Sequence, residues 1–353
     1  MGRKNSPSAK KELVELITNY EAAKAKEQQI YLDGDQLADI ADWYATERKF
    51  DEAQEVITYG LHLHPGSTDL LIEQAYLYLD TQKLQKAKKV AATITEEYEP
   101  DVKMLKAELL LNEGKLEEAQ ELLNSIEDAD ELVTLTDIVY LFLDLGYPEN
   151  ARKWLEKGKK RYAEEQDYLA LTADYLFATH QHEAAAKAYN KLIDKAPYNA
   201  SYWMGLAKIH FIEENVDKAI EACDFALAAN ENCGDAYAYK AHSFFYLNNA
   251  DEAIENYQKA IAYKSIPPEL GNMFMGLSYA NKEEWQKADE YYTKVIDCFE
   301  KEGESDSILL IDTYTSKAYA ISHLERYEEA HQLCDKAKKL GPNEGLSYLT
   351  DGK

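Results

Sequence analysis

The chain of 353 residues is poor in the residue types that mark secreted, metal-stabilised or irregular folds. Its four cysteines form no C-x-x-C pair, which argues against both a zinc site and a redox pair. With only 8 prolines and 15 glycines, long disordered segments are not expected. The N-terminus has no apolar stretch long enough for a signal peptide, and no segment approaches the roughly 18 apolar residues of a membrane span. These absences predict a cytoplasmic helical protein.

Positive charge is also scarce. The sequence has 65 Asp and Glu against 39 Lys and Arg, a formal charge of −26. An acidic surface repels phosphate groups, so nonspecific binding to nucleic acid or to an anionic membrane is not expected. The charge favours a basic or neutral partner, although keeping a long, exposed molecule soluble explains the same excess.

The sequence lacks the common catalytic motifs. It contains no G-x-S-x-G, no H-E-x-x-H, no Walker motif and no dinucleotide-binding glycine motif. Two H-x-H pairs occur, His62 with His64 and His180 with His182, but residues two apart on a helix point about 200° apart. We interpret them as polar residues at helix ends. The sequence therefore predicts no catalytic residue, no metal site and no cofactor.

What the sequence does have is a repeated alanine. After a turn and an acidic residue or glutamine, an alanine recurs at nine positions: Ala53, Ala87, Ala119, Ala151, Ala185, Ala219, Ala253, Ala288 and Ala330. We call these the anchor alanines; neighbouring ones are 32 to 42 residues apart. Twelve residues before the anchor, eight of nine copies have Ala or Gly, as expected where two helices cross closely. Such a period predicts one supersecondary unit that is repeated and stacked.

Each repeat carries the pattern of two helices. Large apolar residues at 16 and 9 residues before most anchors complete an i, i+4, i+7 stripe on a first helix. Carboxylates just before the anchor mark the start of a second helix, and Pro65, Pro197 and Pro342 mark its end. The sixth copy, with Trp203 and Ala207, and the seventh copy show the pattern best. It resembles the tetratricopeptide repeat, which implies an all-α fold, a right-handed superhelical solenoid of antiparallel helix pairs.

The repeat pattern also predicts the domain organisation. We expect a polar leader at 1–10, an N-terminal capping helix at 11–30, nine repeats forming one elongated domain at 35–342, and a C-terminal tail at 343–353. A polar insertion at 301–307 is predicted to lengthen the second helix of the eighth repeat. Met1, Gly2 and Ser6 match an N-terminal acylation pattern, for which a chance match is the alternative.

In the family that the repeats resemble, first helices line a concave groove, and we expect the partner to bind there. The groove stripe, opposite the crossing position, comprises Asp42, Tyr76, Asp80, Glu108, Asn112, Tyr140, Asp144, Asp174, Phe177, Lys208, Phe211, His242, Phe245, Tyr246 and Tyr319. Alternating carboxylates and aromatic rings suit a peptide with basic and apolar side chains. For Phe177, Phe211 and Phe245, packing between neighbouring helices is the alternative.

A second polar row lies 18 residues before the anchors. It comprises Asp35, Asp69, Asp101, Asp167, Ser201, Asp235 and Asp312. Because Asp and Ser are preferred at helix N-caps, we predict that this row caps the first helices and does not bind the partner.

The sequence therefore predicts a non-catalytic scaffold or adaptor that binds a protein or peptide in the groove. The alternative is a peptide-sensing regulatory protein that acts on a signalling partner through its N-terminal helices. Lys208 is the one cation of the groove stripe, so capture of a chaperone's C-terminal carboxylate is not expected. Homodimerisation through tyrosine-rich edges stays open, as does the identity of the partner.

Overall fold

The chain folds into α-helices. A computed structural model describes residues 7–26, 30–302 and 308–341, and within these ranges nineteen helices follow one another without a strand. The contacts divide the chain into two compact units, Met1–Leu171 and Thr172–Lys353. The boundary between them along the chain falls within one helix, Gln166–Ala178. The acylation pattern at Met1, Gly2 and Ser6 and the tail at 343–353 lie outside the described residues.

Unit 1 contains one single helix, four helix pairs and the start of the next pair. The helices are α1 (Pro7–Ala25), α2 (Gly34–Thr46), α3 (Phe50–Leu63), α4 (Thr68–Asp80), α5 (Leu84–Ala91), α6 (Pro100–Asn112), α7 (Leu116–Asn124), α8 (Leu132–Asp144), α9 (Pro148–Tyr162) and the beginning of α10 (Gln166–Ala178). In each complete pair, the two helices pack against each other.

Unit 2 continues the series in the same way. After the remainder of α10 come α11 (His182–Lys195), α12 (Ala200–Ile212), α13 (Val216–Ala229), α14 (Gly234–Tyr246), α15 (Ala250–Ala262), α16 (Pro268–Asn281), α17 (Trp285–Glu302), α18 (Ile308–Ser322) and α19 (Tyr327–Leu340). From α12 onward, each pair also packs against the next pair. The predicted all-α class of stacked helix pairs is confirmed. As the insertion at 301–307 predicted, α17 is longer than the other second helices, with 18 residues.

The N-terminal helix starts earlier than predicted. It begins at Pro7, so Pro7–Lys10 are helical and do not belong to a polar leader. Proline is favoured in a first helical turn because its missing N–H would have had no partner there. Ile17 and Tyr20 of α1 are buried in the same core as Leu37 and Ala41 of α2. The helix therefore covers the apolar side of the first pair.

The anchor alanines lie where the two helices of each pair cross. Eight of the nine are fully buried, and Ala330 is 9% exposed. The residue twelve positions earlier is buried in every repeat. At Gly276, an added Cβ would lie 2.5 Å from the ring of Tyr292, so the helices there approach too closely for any side chain. The small residues of the repeat are thus required by helix packing.

The turn between first and second helix has the same backbone conformation in all nine repeats. The residue five positions before each anchor has a positive φ: Arg48, Gln82, Gly114, Gly146, His180, Glu214, Asn248, Glu283 and Glu325. The next amide then bonds back to a carbonyl of the first helix, as Lys49 N does to Tyr44 O at 2.8 Å. This is the bonding of a Schellman turn, in which glycine is the preferred left-handed residue. Only the third and fourth repeats have glycine there.

The turns give a first prediction. Gly114→Ala is expected to lower the free energy of unfolding by about 1 kcal/mol, because an L-residue at positive φ costs roughly 1–2 kcal/mol. Nothing lies within 4 Å of the added Cβ, so the effect reports the backbone alone. Glu214→Gly should raise the stability by a similar amount. Urea denaturation followed by circular dichroism measures both, and changes of the same sign would contradict the interpretation.

Candidate peptide-binding surface

The first helices of unit 1 form an acidic cleft. Side chains of α2, α4, α6 and α8, with Leu145 after α8, line a cavity of about 460 Å³, which we call the acidic cleft. Its carboxylates come from all four helices: Asp35, Asp39, Asp69, Glu73, Asp101, Glu108, Asp137 and Asp144. Ala38, Ile72, Met104 and Leu141 supply apolar surface, and Tyr76 and Tyr140 supply aromatic rings.

The repeat explains how these residues come together. Most polar lining residues lie 18, 14, 11 or 7 residues before an anchor, which is the i, i+4, i+7, i+11 spacing of one helix face. Because α4 packs against both α2 and α6, equivalent positions on these first helices lie side by side. Four predicted residues, Tyr76, Glu108, Tyr140 and Asp144, are brought together in this cleft.

Burial and mutual repulsion make ionisation of the cleft carboxyl groups unfavourable. Burial, with Asp80 and Asp144 nearby, raises the pKa of Glu108 to about 7. The pKa of Asp69 is raised by burial and by the charges of Asp35 and Asp101, and burial also raises that of Asp137. No Lys, Arg or His occurs among the described residues that line the cleft. A cation entering it would offset this unfavourable concentration of charge.

Two other predicted residues lie beside the cleft. Asp42 and Asp80 line an adjoining cavity of about 580 Å³ together with Tyr76 and Arg48. Burial and Asp42 raise the pKa of Asp80. Asn112 is exposed, and its amide donates to the backbone carbonyl of Glu108 at 2.9 Å within α6.

The capping prediction for the second polar row is wrong. The N-cap residues lie earlier: Asp33 for α2, Ser67 for α4 and Asn199 for α12. The row itself lies in the helices, in the first turn for Asp35, Asp69, Asp101, Asp167, Ser201 and Asp235, and at the fifth residue for Asp312. Three of these aspartates line the acidic cleft. Continuing the groove stripe backwards by i−4 and i−3 steps would have found them.

In unit 2, several of the predicted residues pack against neighbouring side chains. Asp174 accepts a hydrogen bond from the hydroxyl of Tyr189, and the ring of Phe177 lies 5.8 Å from that of His182. Lys208 is half-buried. Tyr246 is exposed, and Tyr319 packs edge-on against Trp285 at 5.9 Å.

Two phenylalanines of the groove stripe, Phe211 and Phe245, belong to an aromatic cluster. Phe211 of α12 packs against Tyr239 of α14 at 5.5 Å, and Phe245 of α14 against Phe274 of α16 at 5.3 Å. His242 Nδ1 lies 2.7 Å from the hydroxyl of Tyr257, and burial lowers the pKa of this histidine. For Phe211 and Phe245, the structure favours the alternative of packing between successive first helices.

The histidine pairs lie at helix ends. His62 is in the last turn of α3 with His64 following it, and His180 and His182 flank the start of α11. His64 Nε2 lies 2.7 Å from the carbonyl of Leu32. Over the part of the chain that the structure describes, no three His, Cys, Asp or Glu side chains are grouped to hold a metal ion. None of the described helices is both long and apolar enough to span a bilayer.

Stacked helix pairs with small residues at each crossing define a helical-repeat protein. Models of the tetratricopeptide repeat match the chain at residues 44–109, 170–232 and 234–266. The nine pairs in register supply the remaining copies. The chain is therefore a tetratricopeptide-repeat protein, of a family whose members bind protein partners and are generally non-catalytic.

The share of the relative's length that this chain matches differs widely between relatives. Anaphase-promoting complex subunit 7 of Dictyostelium discoideum is 31% identical over 74 residues, which are 21% of this chain and 13% of that protein. The C-terminal part of a tetratricopeptide-repeat protein from Cytophaga hutchinsonii superposes with a TM-score of 0.54 at 15% identity, covering 70% of this chain and 98% of that one. PilF of Pseudomonas aeruginosa gives 0.51 at 14% identity, covering 63% and 96%. The two structures share the fold.

Proposed function

We propose that the protein is a non-catalytic scaffold that binds a basic segment of a partner protein in the acidic cleft. The observation that carries the proposal is a cavity lined by carboxylates of four successive first helices, with no cationic side chain among its described lining residues. Members of the family bind proteins, and the negative charge of the cleft indicates that the bound segment is basic.

The lining fits lysine and arginine side chains in particular. Their aliphatic stems can pack on Ile72 and Met104 while the charged ends reach the carboxylates. A unit charge at 4 Å from a carboxylate gains about 4 kcal/mol before desolvation at an effective dielectric constant of 20. The rings of Tyr76 and Tyr140 can add cation–π contacts of about 0.5–2 kcal/mol.

The number of helices bounds the length of the segment. Adjacent packed helices are roughly 10 Å apart, so a cleft crossing four of them extends over about 30 Å. An extended chain advances about 3.3 Å per residue, which corresponds to roughly nine residues. The expected ligand is therefore a short extended segment in which basic and apolar residues alternate.

A labelled nine-residue peptide of alternating Arg and Leu tests the proposal by fluorescence anisotropy. At pH 8, where Glu108 is mostly ionised, the variant carrying Asp69→Asn, Glu108→Gln and Asp137→Asn is expected to bind this peptide about tenfold more weakly, because three carboxylates of the cleft lose their charge. The matched control changes Glu117, Glu118 and Glu121 of α7 to Gln. These side chains are exposed outside the cleft, so the control removes the same charge from unit 1.

The control variant should bind within twofold of the wild type. If both variants weaken binding equally, the peptide responds to the overall charge and not to the cleft. If neither does, the cleft is not the binding site, and the proposal is wrong.

A further inference from the structure

Helix α9 is positively charged, whereas the chain as a whole is negatively charged. It carries six cationic residues, Arg152, Lys153, Lys157, Lys159, Lys160 and Arg161, and two carboxylates, Glu149 and Glu156. The helix therefore has a local charge of +4, the six cations minus the two carboxylates, within a protein of net charge −26.

Four of the six cationic residues lie on one exposed face of α9. Lys153, Lys157, Lys160 and Arg161 follow the i, i+4, i+7, i+8 spacing, and we call these four residues the α9 stripe. All four are exposed, while Ala151, Trp154, Leu155, Gly158 and Tyr162 form the buried face of the helix. The α9 stripe is thus a continuous basic strip held on a rigid helix.

Neighbouring carboxylates neutralise only part of the α9 stripe. Arg161 lies 3.8 Å from Asp130 and 4.0 Å from Glu131, both exposed pairs. Lys157 donates to the side-chain oxygen of Asn124 at 2.8 Å, a neutral partner, and lies 3.2 Å from the ring centre of Trp154. Both glutamates of α9 approach Arg152, within 3.0 and 3.8 Å. Among the described residues, none forms an ion pair with Lys153 or Lys160.

Helix stability accounts for only the C-terminal end of this basic face. Cations in a last turn interact favourably with the helix dipole. Lys160 and Arg161 lie in that turn, whereas Lys153 and Lys157 lie one to two turns earlier. Like charges at i and i+4, such as Lys153 with Lys157 and Lys157 with Arg161, destabilise a helix. Glu149 and Glu156 lie four residues before Lys153 and Lys160 and offset part of this repulsion, so helix stability does not by itself account for the middle of the α9 stripe.

We propose that the α9 stripe is a docking surface for an acidic segment of a protein partner. The Debye length is about 8 Å at physiological salt, so a short segment on the stripe is screened from most of the chain's negative charge. A nucleic acid or an anionic membrane extends far beyond the stripe and meets that negative charge at many points. The size of the basic surface thus favours a short acidic peptide.

This surface is independent of the acidic cleft. The cleft is lined by first helices of unit 1, whereas α9 is the second helix of the fourth pair and contributes no residue to the lining. A partner on the α9 stripe and a basic segment in the cleft can therefore be tested separately.

A labelled twelve-residue peptide of alternating Glu and Gly tests the inference by fluorescence anisotropy at 0.15 M salt. The variant with Lys153→Glu and Lys160→Glu is expected to bind it at least tenfold more weakly than the wild type. Both side chains are exposed, so the fold should persist, and circular dichroism checks this. The control variant, Lys191→Glu with Lys195→Glu, makes the same charge change on exposed positions of α11 and should bind within twofold of the wild type.

Four results would overturn the inference. The first is an equal loss in both variants, and the second is no saturable binding of the peptide by the wild type below about 1 mM. The third is tighter binding of a single-stranded oligonucleotide, or of phosphatidylserine vesicles, than of the acidic peptide. If sedimentation instead shows self-association of the wild type that the double variant abolishes, a second copy is the occupant and the proposed partner is wrong.

Discussion

Asp289→Ala is expected to lower the free energy of unfolding by about 3–5 kcal/mol, the cost of breaking a buried ion pair on one side. Asp289 of α17 and Lys317 of α18 are 6% and 8% exposed, and Lys317 Nζ lies 2.9 Å from one carboxylate oxygen. Arg326 lies 2.5 Å from the other. Removing the carboxylate leaves a buried ammonium group without a counter-charge. Urea denaturation measures the loss, and hydrogen exchange should show it first in α17, α18 and α19.

Two comparisons separate this effect from a general loss of packing. Asp289→Leu combined with Lys317→Met removes both charges and should recover most of the stability, because buried ion pairs contribute little beyond an apolar pair. Lys187→Met breaks the exposed pair with Glu183 and should cost less than about 1 kcal/mol. A loss from Asp289→Ala as small as that of Lys187→Met would show that the buried ion pair does not stabilise the last two repeats.

The second large effect is expected at Glu108. The pKa of this carboxyl is about 7 in the folded protein against 4.5 as its ordinary value, chiefly because of burial. The folded state therefore binds this proton more tightly, so the contribution of Glu108 to stability is greatest below about pH 4.5 and falls as the pH rises towards 7. Glu108→Gln imitates the protonated form. It should raise the free energy of unfolding by about 2 kcal/mol at pH 8, allowing for solvent screening, and by little at pH 4.

Denaturation of the wild type and of Glu108→Gln across this pH range measures the effect. Glu117→Gln on the exposed surface of α7 is the control, and its stability should follow that of the wild type. A stability difference between Glu108→Gln and the wild type that does not grow with pH would contradict the account of the acidic cleft as a site of unfavourable negative charge.

The repeat made the architecture predictable. Each anchor alanine, with the small residue twelve positions before it, is required by the same helix crossing, so the register could be followed through the whole series. Helix starts were predictable where carboxylates precede an anchor, as at Phe50 and Leu116. The starts of the first helices were harder to predict, because the N-cap residue lies before the aspartate that resembled a cap. In α4, for example, the N-cap residue is Ser67, two residues before Asp69.

The candidate site was predictable only in part. Tyr76, Glu108, Tyr140 and Asp144 were identified because the groove stripe follows helical spacing. Asp69 and Asp101 were missed, since an aspartate near a helix start fits capping as well as a cleft, and only the side-by-side packing of first helices decides between them. Phe211 and Phe245 fit either packing or binding for the same reason.

Contacts specific to one repeat could not be predicted at all. Asp289 directly follows the anchor Ala288, and Lys317, its partner in the ion pair, lies thirteen residues before the next anchor, Ala330. No other repeat has an aspartate directly after its anchor. Alignment of the copies therefore reveals the shared framework and hides such single interactions.

The left-handed turn residues offer a way to follow unfolding one repeat at a time. All nine are exposed, and each joins the two helices whose crossing holds its own repeat together. A cysteine and a fluorophore placed there would change neither the helix crossings nor the acidic cleft. In a repeat protein, each helix pair is stabilised by its neighbours, so the unfolding of one pair destabilises the next. Dyes at successive turns would report over how many repeats this unfolding spreads, which is a correlation length measured in repeats.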